Sequence, residues 1–157
     1  MKLQDLLNSR FDLGAPYKIG LGTAQLSNTD GSSLTVNYMK ESSAVSILQH
    51  AIGRGVFFFD SGVNYGKSEN LLGDLKKVYG DSIIVATKIG MSSQGVRNFS
   101  ITSLRDDLSR SLERLNVKQI DLLQLNKPTI SDLENEELII FLQTLKKEKI
   151  IKYLGVV

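Results

Sequence analysis

The run Phe57–Glu69 reads FFFDSGVNYGKSE: three aromatics end in Asp60, and Tyr65 follows five residues later between Asn64 and Gly66. Further along, IIVATKIG ends an apolar run near Lys88, and LLQLNKP ends another at Asn126. These residue types suggest acid–base chemistry. A tyrosine phenol ionises at about pH 10, too high for a useful acid at neutral pH. A neighbouring ammonium stabilises the phenolate and lowers that value. Lys88 is the candidate ammonium, and Asp60 can pair with it and hold it in place. An Asp60–Lys88–Tyr65 relay would make Tyr65 a general acid able to protonate a carbonyl oxygen. Lys88 taken alone also suits a Schiff-base nucleophile, since a desolvated amine is nucleophilic. Asp60 and Tyr65 together favour the relay.

The elements that must carry these residues follow from the apolar pattern. Short β-type runs occur at Tyr17–Thr23, Val56–Asp60, Ile83–Lys88, Ile120–Leu125 and Ile150–Val157, with a helical stripe in each gap. Ala44, Leu48, Ala51 and Ile52 form one stripe; Leu71, Leu72, Leu75 and Val78 form the next. Leu104, Leu108, Leu112 and Leu115 form a third, leaving Arg105, Asp106, Arg110 and Glu113 for solvent, and Leu138, Phe141, Leu142 and Leu145 form a fourth. Ser131-Asp132-Leu133-Glu134 matches a capping box, Ser100 or Thr102 suits an N-cap, and Gly55 and Gly80 fall where helices should stop. The strands are nearly unbroken apolar runs, as in parallel sheets covered on both faces. Repeated strand–helix units with right-handed crossovers make an α/β fold.

Two α/β folds compete. A doubly wound dinucleotide fold calls for G-x-G-x-x-G after the first strand, but Gly20-Leu21-Gly22-Thr23-Ala24-Gln25 puts glutamine where the third glycine belongs. A (β/α)8 barrel gathers its active site at the C-terminal strand ends. Thr23, Asp60, Lys88 and Asn126 with Lys127 all fall there. Residues 24–42 form the longest polar loop and name no substrate.

Composition narrows the function. The 157 residues are 41% hydrophobic and 23% charged, enough for one domain with a real core. Nineteen basic against 17 acidic residues leave a net charge of +2, too balanced to imply nucleic acid or a membrane surface. No run approaches the roughly 18 apolar residues of a membrane span, and the N-terminus has no signal-peptide core. The absence of cysteine fits a reducing cytoplasm and excludes thiolate chemistry. His50 is the one histidine, so no multi-histidine metal site exists; it reads as a surface or packing residue. The basic runs LKKVYG and LKKEKIIK read as solvated helix ends.

The blocks FFFDSGVNYGKSENLLG, IIVATKIG, SLRDDLSRSLERLNVKQIDLLQLNKP and LKKEKIIKYLGVV, in this order, resemble consecutive blocks of the aldo-keto reductase family. The resemblance runs from Tyr17 onward and makes residues 1–16 an N-terminal extension and 17–157 the N-terminal part of a barrel domain. It implies an NADPH-dependent carbonyl reductase on a (β/α)8 barrel, with hydride passing from the nicotinamide while tyrosine supplies the proton. The family's catalytic tetrad falls on Asp60, Tyr65, Lys88 and Asn126. Gly22, Thr23 and Asp60 fall on its nicotinamide side. The fourth position is usually histidine; Asn126 can donate a hydrogen bond there but cannot be charged, which lowers the expected rate. About five βα units are present, so the barrel is expected to be incomplete, with the phosphate-binding strands lacking and NADPH bound weakly or not at all. The expected partner is a small carbonyl substrate. Exposed sheet edges are expected to drive homodimer formation or poor solubility. The alternative is a catalytically silent half-barrel serving as an assembly module or left as a gene remnant.

Overall fold

The computed structural model describes residues 19–26 and 39–157. The 1–16 extension and most of the 24–42 loop therefore lie outside the described residues. Among the described residues five strands alternate with helices: β1 (Gly20–Gly22), α1 (Glu41–Gly53), β2 (Phe58–Asp60), α2 (Ser68–Tyr79), a 3-10 turn (Gly80–Ser82), β3 (Ile84–Ile89), α3 (Ile101–Leu115), β4 (Ile120–Leu125), α4 (Ile130–Leu133), α5 (Glu136–Lys147) and β5 (Ile151–Val156). All neighbouring strands pair parallel, in the order β1-β2-β3-β4-β5. Successive strands are added on one side without reversal, as in a barrel. A doubly wound sheet would reverse its strand order and open a crevice at that point.

Alternation along each strand sorts side chains onto two faces. Phe59, Val85, Ile89, Leu123 and Leu125 join Leu48, Leu72, Leu104 and Leu138 from the helices in one apolar core. The register aligns Gly22 with Asp60, Asp60 with Ala86, Lys88 with Gln124 and Gln124 with Gly155. These alternate with the core residues and so occupy the other face, the one a closed barrel encloses. The outer end of β5 is apolar and open: Leu154, Val156 and Val157 are exposed.

Helix ends follow local hydrogen bonding. Ser100, rather than Thr102, caps α3 by accepting from the Ser103 N–H. Gly55 and Gly80 both have positive φ where α1 and α2 stop. The capping box lies two residues earlier than the Ser131–Glu134 reading. Thr129 is the N-cap and Asp132 answers it, accepting from Thr129 N–H at 2.8 Å and Oγ1 at 2.7 Å. Those bonds hold the Asp132 carboxyl below its ordinary range. The chain leaving Pro128 enters a helical turn at once, and Thr129 with Asp132 satisfies the same hydroxyl-to-acid spacing. This turn does not continue: α5 starts afresh, with Asn135 Oδ1 accepting from the Glu137 and Leu138 N–H groups. The basic run LKKVYG also differs from its solvated reading. Lys77 is exposed beside Asp74, but Lys76 is half-buried and pairs with the buried Asp121.

Helices α2 and α3 meet at Gly73. A Cβ there would lie 2.5 Å from the Arg114 carbonyl oxygen and 3.0 Å from Leu115 backbone atoms. Backbone cannot swing aside as a flexible side chain can. Gly73→Ala is expected to lower stability by about 1–3 kcal/mol, read from the urea midpoint. An unchanged midpoint would show that the two helices separate freely.

Candidate active site

The aspartate at the end of β2 and the lysine near the end of β3 share one face because their strands are adjacent. Lys88 Nζ lies 2.6 Å from Asp60 Oδ2 and donates to the Ser61 carbonyl at 2.7 Å. Its side chain is only 5% exposed, while that of Asp60 is 35% exposed. A buried ammonium is tolerable only when its donors meet acceptors, and here a carboxylate and a carbonyl meet them. The same ammonium lies 5.2 Å from the centre of the Tyr65 ring, within reach of a cation–π attraction.

Tyr65 reaches this position because the loop after β2 continues the ladder before turning back. The Ser61 and Val63 N–H groups donate to the Ala86 and Lys88 carbonyls at 2.8 and 3.0 Å. Tyr65 N–H then donates to Gly62 O, and Ser68 N–H to Tyr65 O, delivering the chain into α2. Asn126 follows β4 directly. Its N–H donates to Ile89 O at 2.9 Å, continuing the β3–β4 ladder one residue past the strand, and the residue is 7% exposed. The structure therefore gathers Asp60, Lys88 and the Tyr65 ring, and sets Asn126 at the neighbouring strand end. His50 is exposed on α1.

Thr23 is placed differently from its neighbour Gly22. It is fully buried, and its hydroxyl donates to the Asp60 carbonyl oxygen at 3.0 Å. Ser68 Oγ donates to Thr23 Oγ1, which leaves the Ser61 hydroxyl to donate to Ser68 Oγ at 2.9 Å. This buried hydroxyl chain ties the end of β1 to Asp60 and to the start of α2. Gly22 is the open position: a Cβ there would meet nothing within 4 Å.

Several supporting residues escape a reading of the sequence. Ser61 and Ser68 look like ordinary turn residues. Glu69 and Arg114, treated below, look like solvated helix charges. Asp107 is buried on α3 and accepts from the Gly90 N–H at 2.9 Å. A usable signal does exist for α3: Asp107 and Ser111 flank the stripe of Leu104, Leu108 and Leu115 and are buried with it, and Arg114 lies at the edge of that face.

Comparison with known proteins bears on the family of the chain and its fold. A model of the aldo/keto reductase family matches residues 18–157. L-galactose dehydrogenase of Arabidopsis thaliana is 32% identical over 145 residues, covering 88% of this chain and 43% of the relative. Among solved structures, a Pseudomonas aeruginosa protein assigned to the aldo-keto reductases superposes with a TM-score of 0.76 at 29% identity, covering 87% of this chain and 54% of that one. The holo form of an aldo-keto reductase from Bacillus halodurans gives 0.73 at 28%, covering 88% and 45%. The chain spans less than half the length of the curated relatives it matches. With the family model matching nearly the whole length, and five parallel strands in the order such barrels use, this chain belongs to the aldo/keto reductase family of oxidoreductases.

Proposed function

We propose that this chain carries the acid–base half of an NADPH-dependent carbonyl reduction, with Tyr65 as proton donor. The observation that supports it is the Lys88 ammonium, 2.6 Å from Asp60 Oδ2 and 5.2 Å from the Tyr65 ring centre. NADPH, when bound, supplies the hydride that reduces the carbonyl carbon, two electrons and one hydrogen. Tyr65 gives its phenolic proton to the carbonyl oxygen, so the product is an alcohol. Lys88 stabilises the phenolate left behind, and Asp60 and the Ser61 carbonyl hold the ammonium in place. The Asn126 amide donates a hydrogen bond to the carbonyl oxygen and orients it. Gly22 leaves room for the nicotinamide.

The test is carbonyl-dependent NADPH oxidation with a panel of aldehydes and ketones. It is run on this chain and on this chain joined to the remaining strands of an aldo-keto reductase barrel. Asn126→His is expected to hold or raise the rate, since imidazole also donates and can carry charge. A complete loss on that change would give Asn126 a different task. A joined protein that binds NADPH but oxidises it with no carbonyl on the panel would sink the proposal.

A further inference from the structure

One buried charge beside the site takes no part in the proposed chemistry. Glu69, the second residue of α2, is 0% exposed. A carboxylate that deep persists only when paired. Its Oε1 accepts from Thr87 Oγ1 at 2.6 Å, and its Oε2 lies 3.4 Å from Arg114 Nη1. The same Nη1 donates to the Val63 carbonyl at 2.7 Å. The Val63 N–H donates in turn to the Lys88 carbonyl at 3.0 Å. The Val63 peptide is thus held from β3 on one side and from α3 on the other, two residues before Tyr65.

We propose that Arg114, oriented by the buried Glu69, is a positioning residue: its grip on the Val63 carbonyl holds the Tyr65 loop against the Lys88 side chain. The catalytic consequence rests on Tyr65 being the proton donor; the geometric claim does not. Gly62 and Gly66 give this loop backbone freedom on both sides of Tyr65. The ladder bonds stop at Val63, so a clamp at its carbonyl limits how far the following turn can swing. Guanidinium suits the task because Nη1 carries two N–H groups, one for the Val63 carbonyl and one for Glu69. Arg114 is 32% exposed, and without Glu69 it would be free to turn towards water. The bare backbone of Gly73 lets the end of α3 approach closely enough for this reach.

The experiment uses amide hydrogen exchange and tyrosine ring-carbon NMR on the 157-residue chain. The Tyr65 signal is identified by its absence in Tyr65→Phe. In Arg114→Gln, exchange at Val63 and Tyr65 is expected to accelerate about tenfold more than at β3 and β4 amides. The Tyr65 signal should shift while those of Tyr79 and Tyr153 stay. Arg114→Lys, which restores a donor, should recover part of both effects. Glu69→Gln keeps an acceptor for Thr87 and removes the charge, so it should reproduce the same local pattern more weakly; it also serves if Arg114→Gln does not fold. Exchange rising equally across the sheet, an unmoved Tyr65 signal, or a lysine variant no better than glutamine would each overturn the positioning role. Carbonyl reduction is scored separately. If a Tyr65→Phe enzyme still reduces carbonyls while the local exchange pattern persists, the proton-donor reading fails and the positioning role stands.

Discussion

Tyr65→Phe is expected to lower carbonyl reduction by about 10²–10⁴-fold, the usual contribution of a placed general acid, and to leave cofactor affinity unchanged. The change deletes one hydroxyl and keeps the ring that lies 5.2 Å from the Lys88 ammonium. Packing of the loop and the Lys88–Asp60 pair at 2.6 Å should therefore persist. An alkoxide forming at the carbonyl would then find no proton donor in place. The loss should fall on kcat, because the missing interaction develops in the transition state rather than on binding. The measurement is steady-state reduction in the joined barrel, with NADPH affinity followed by fluorescence. Turnover that survives nearly intact would remove Tyr65 from the acid's role. A matching loss of NADPH affinity would show that the phenol serves binding instead.

Asp121→Asn should cause the largest loss of stability, far from the chemistry. Asp121 is the second residue of β4 and is 4% exposed. Its Oδ2 lies 2.6 Å from Lys76 Nζ and accepts from the Val85 N–H at 3.1 Å; its Oδ1 accepts from Lys152 Nζ at 2.7 Å. One carboxylate thus joins α2, β3, β4 and β5. Burial opposes its ionisation, but the bonds from Lys152 and Lys76, the Lys76 charge and the Val85 N–H together hold it below the ordinary 3.8. An amide in its place presents N–H to a lysine and leaves Lys76, 11% exposed, without a counter-charge. Breaking such a pair costs about 3 kcal/mol near neutral pH, towards the low end for buried pairs because Lys152 is partly solvated. That corresponds to a melting point lower by roughly 6–12 °C for a chain of this size.

The sign of the pH dependence follows from the lowered value. The contribution is present in full above the unfolded carboxyl's pKa and disappears as pH falls through the lower folded one. The gap between the native chain and the Asp121→Asn variant should therefore narrow as pH drops below 3.8. Urea unfolding across that range decides it. A gap that stays constant would mean that packing, not charge, makes the difference.

Much of this was legible in the sequence because it depends on local pattern. Near-continuous apolar runs such as Ile84–Ile89 specify strands buried on both faces, and the leucine stripe from Leu104 to Leu115 specifies α3. Strand ends carry Asp60, Lys88 and Asn126 to one side of the sheet whatever the loops do, since alternation along a strand is a local property. The order of those residues was also enough to suggest the family.

Other features depend on which elements meet, and single-chain patterns do not encode that. Lys76 and Lys77 are adjacent and alike in sequence, yet of the two only Lys76 pairs with Asp121, which lies on a distant strand. Thr23 and Gly22 are neighbours, but the pleat turns one into the hydroxyl chain and leaves the other facing open space. Glu69 becomes a buried clamp only because α3 approaches α2 at Gly73 and brings Arg114 with it. A charge shows by its type that it must be solvated or paired. Which partner it finds is settled by long-range packing, where the cost of an unpaired buried charge selects one arrangement.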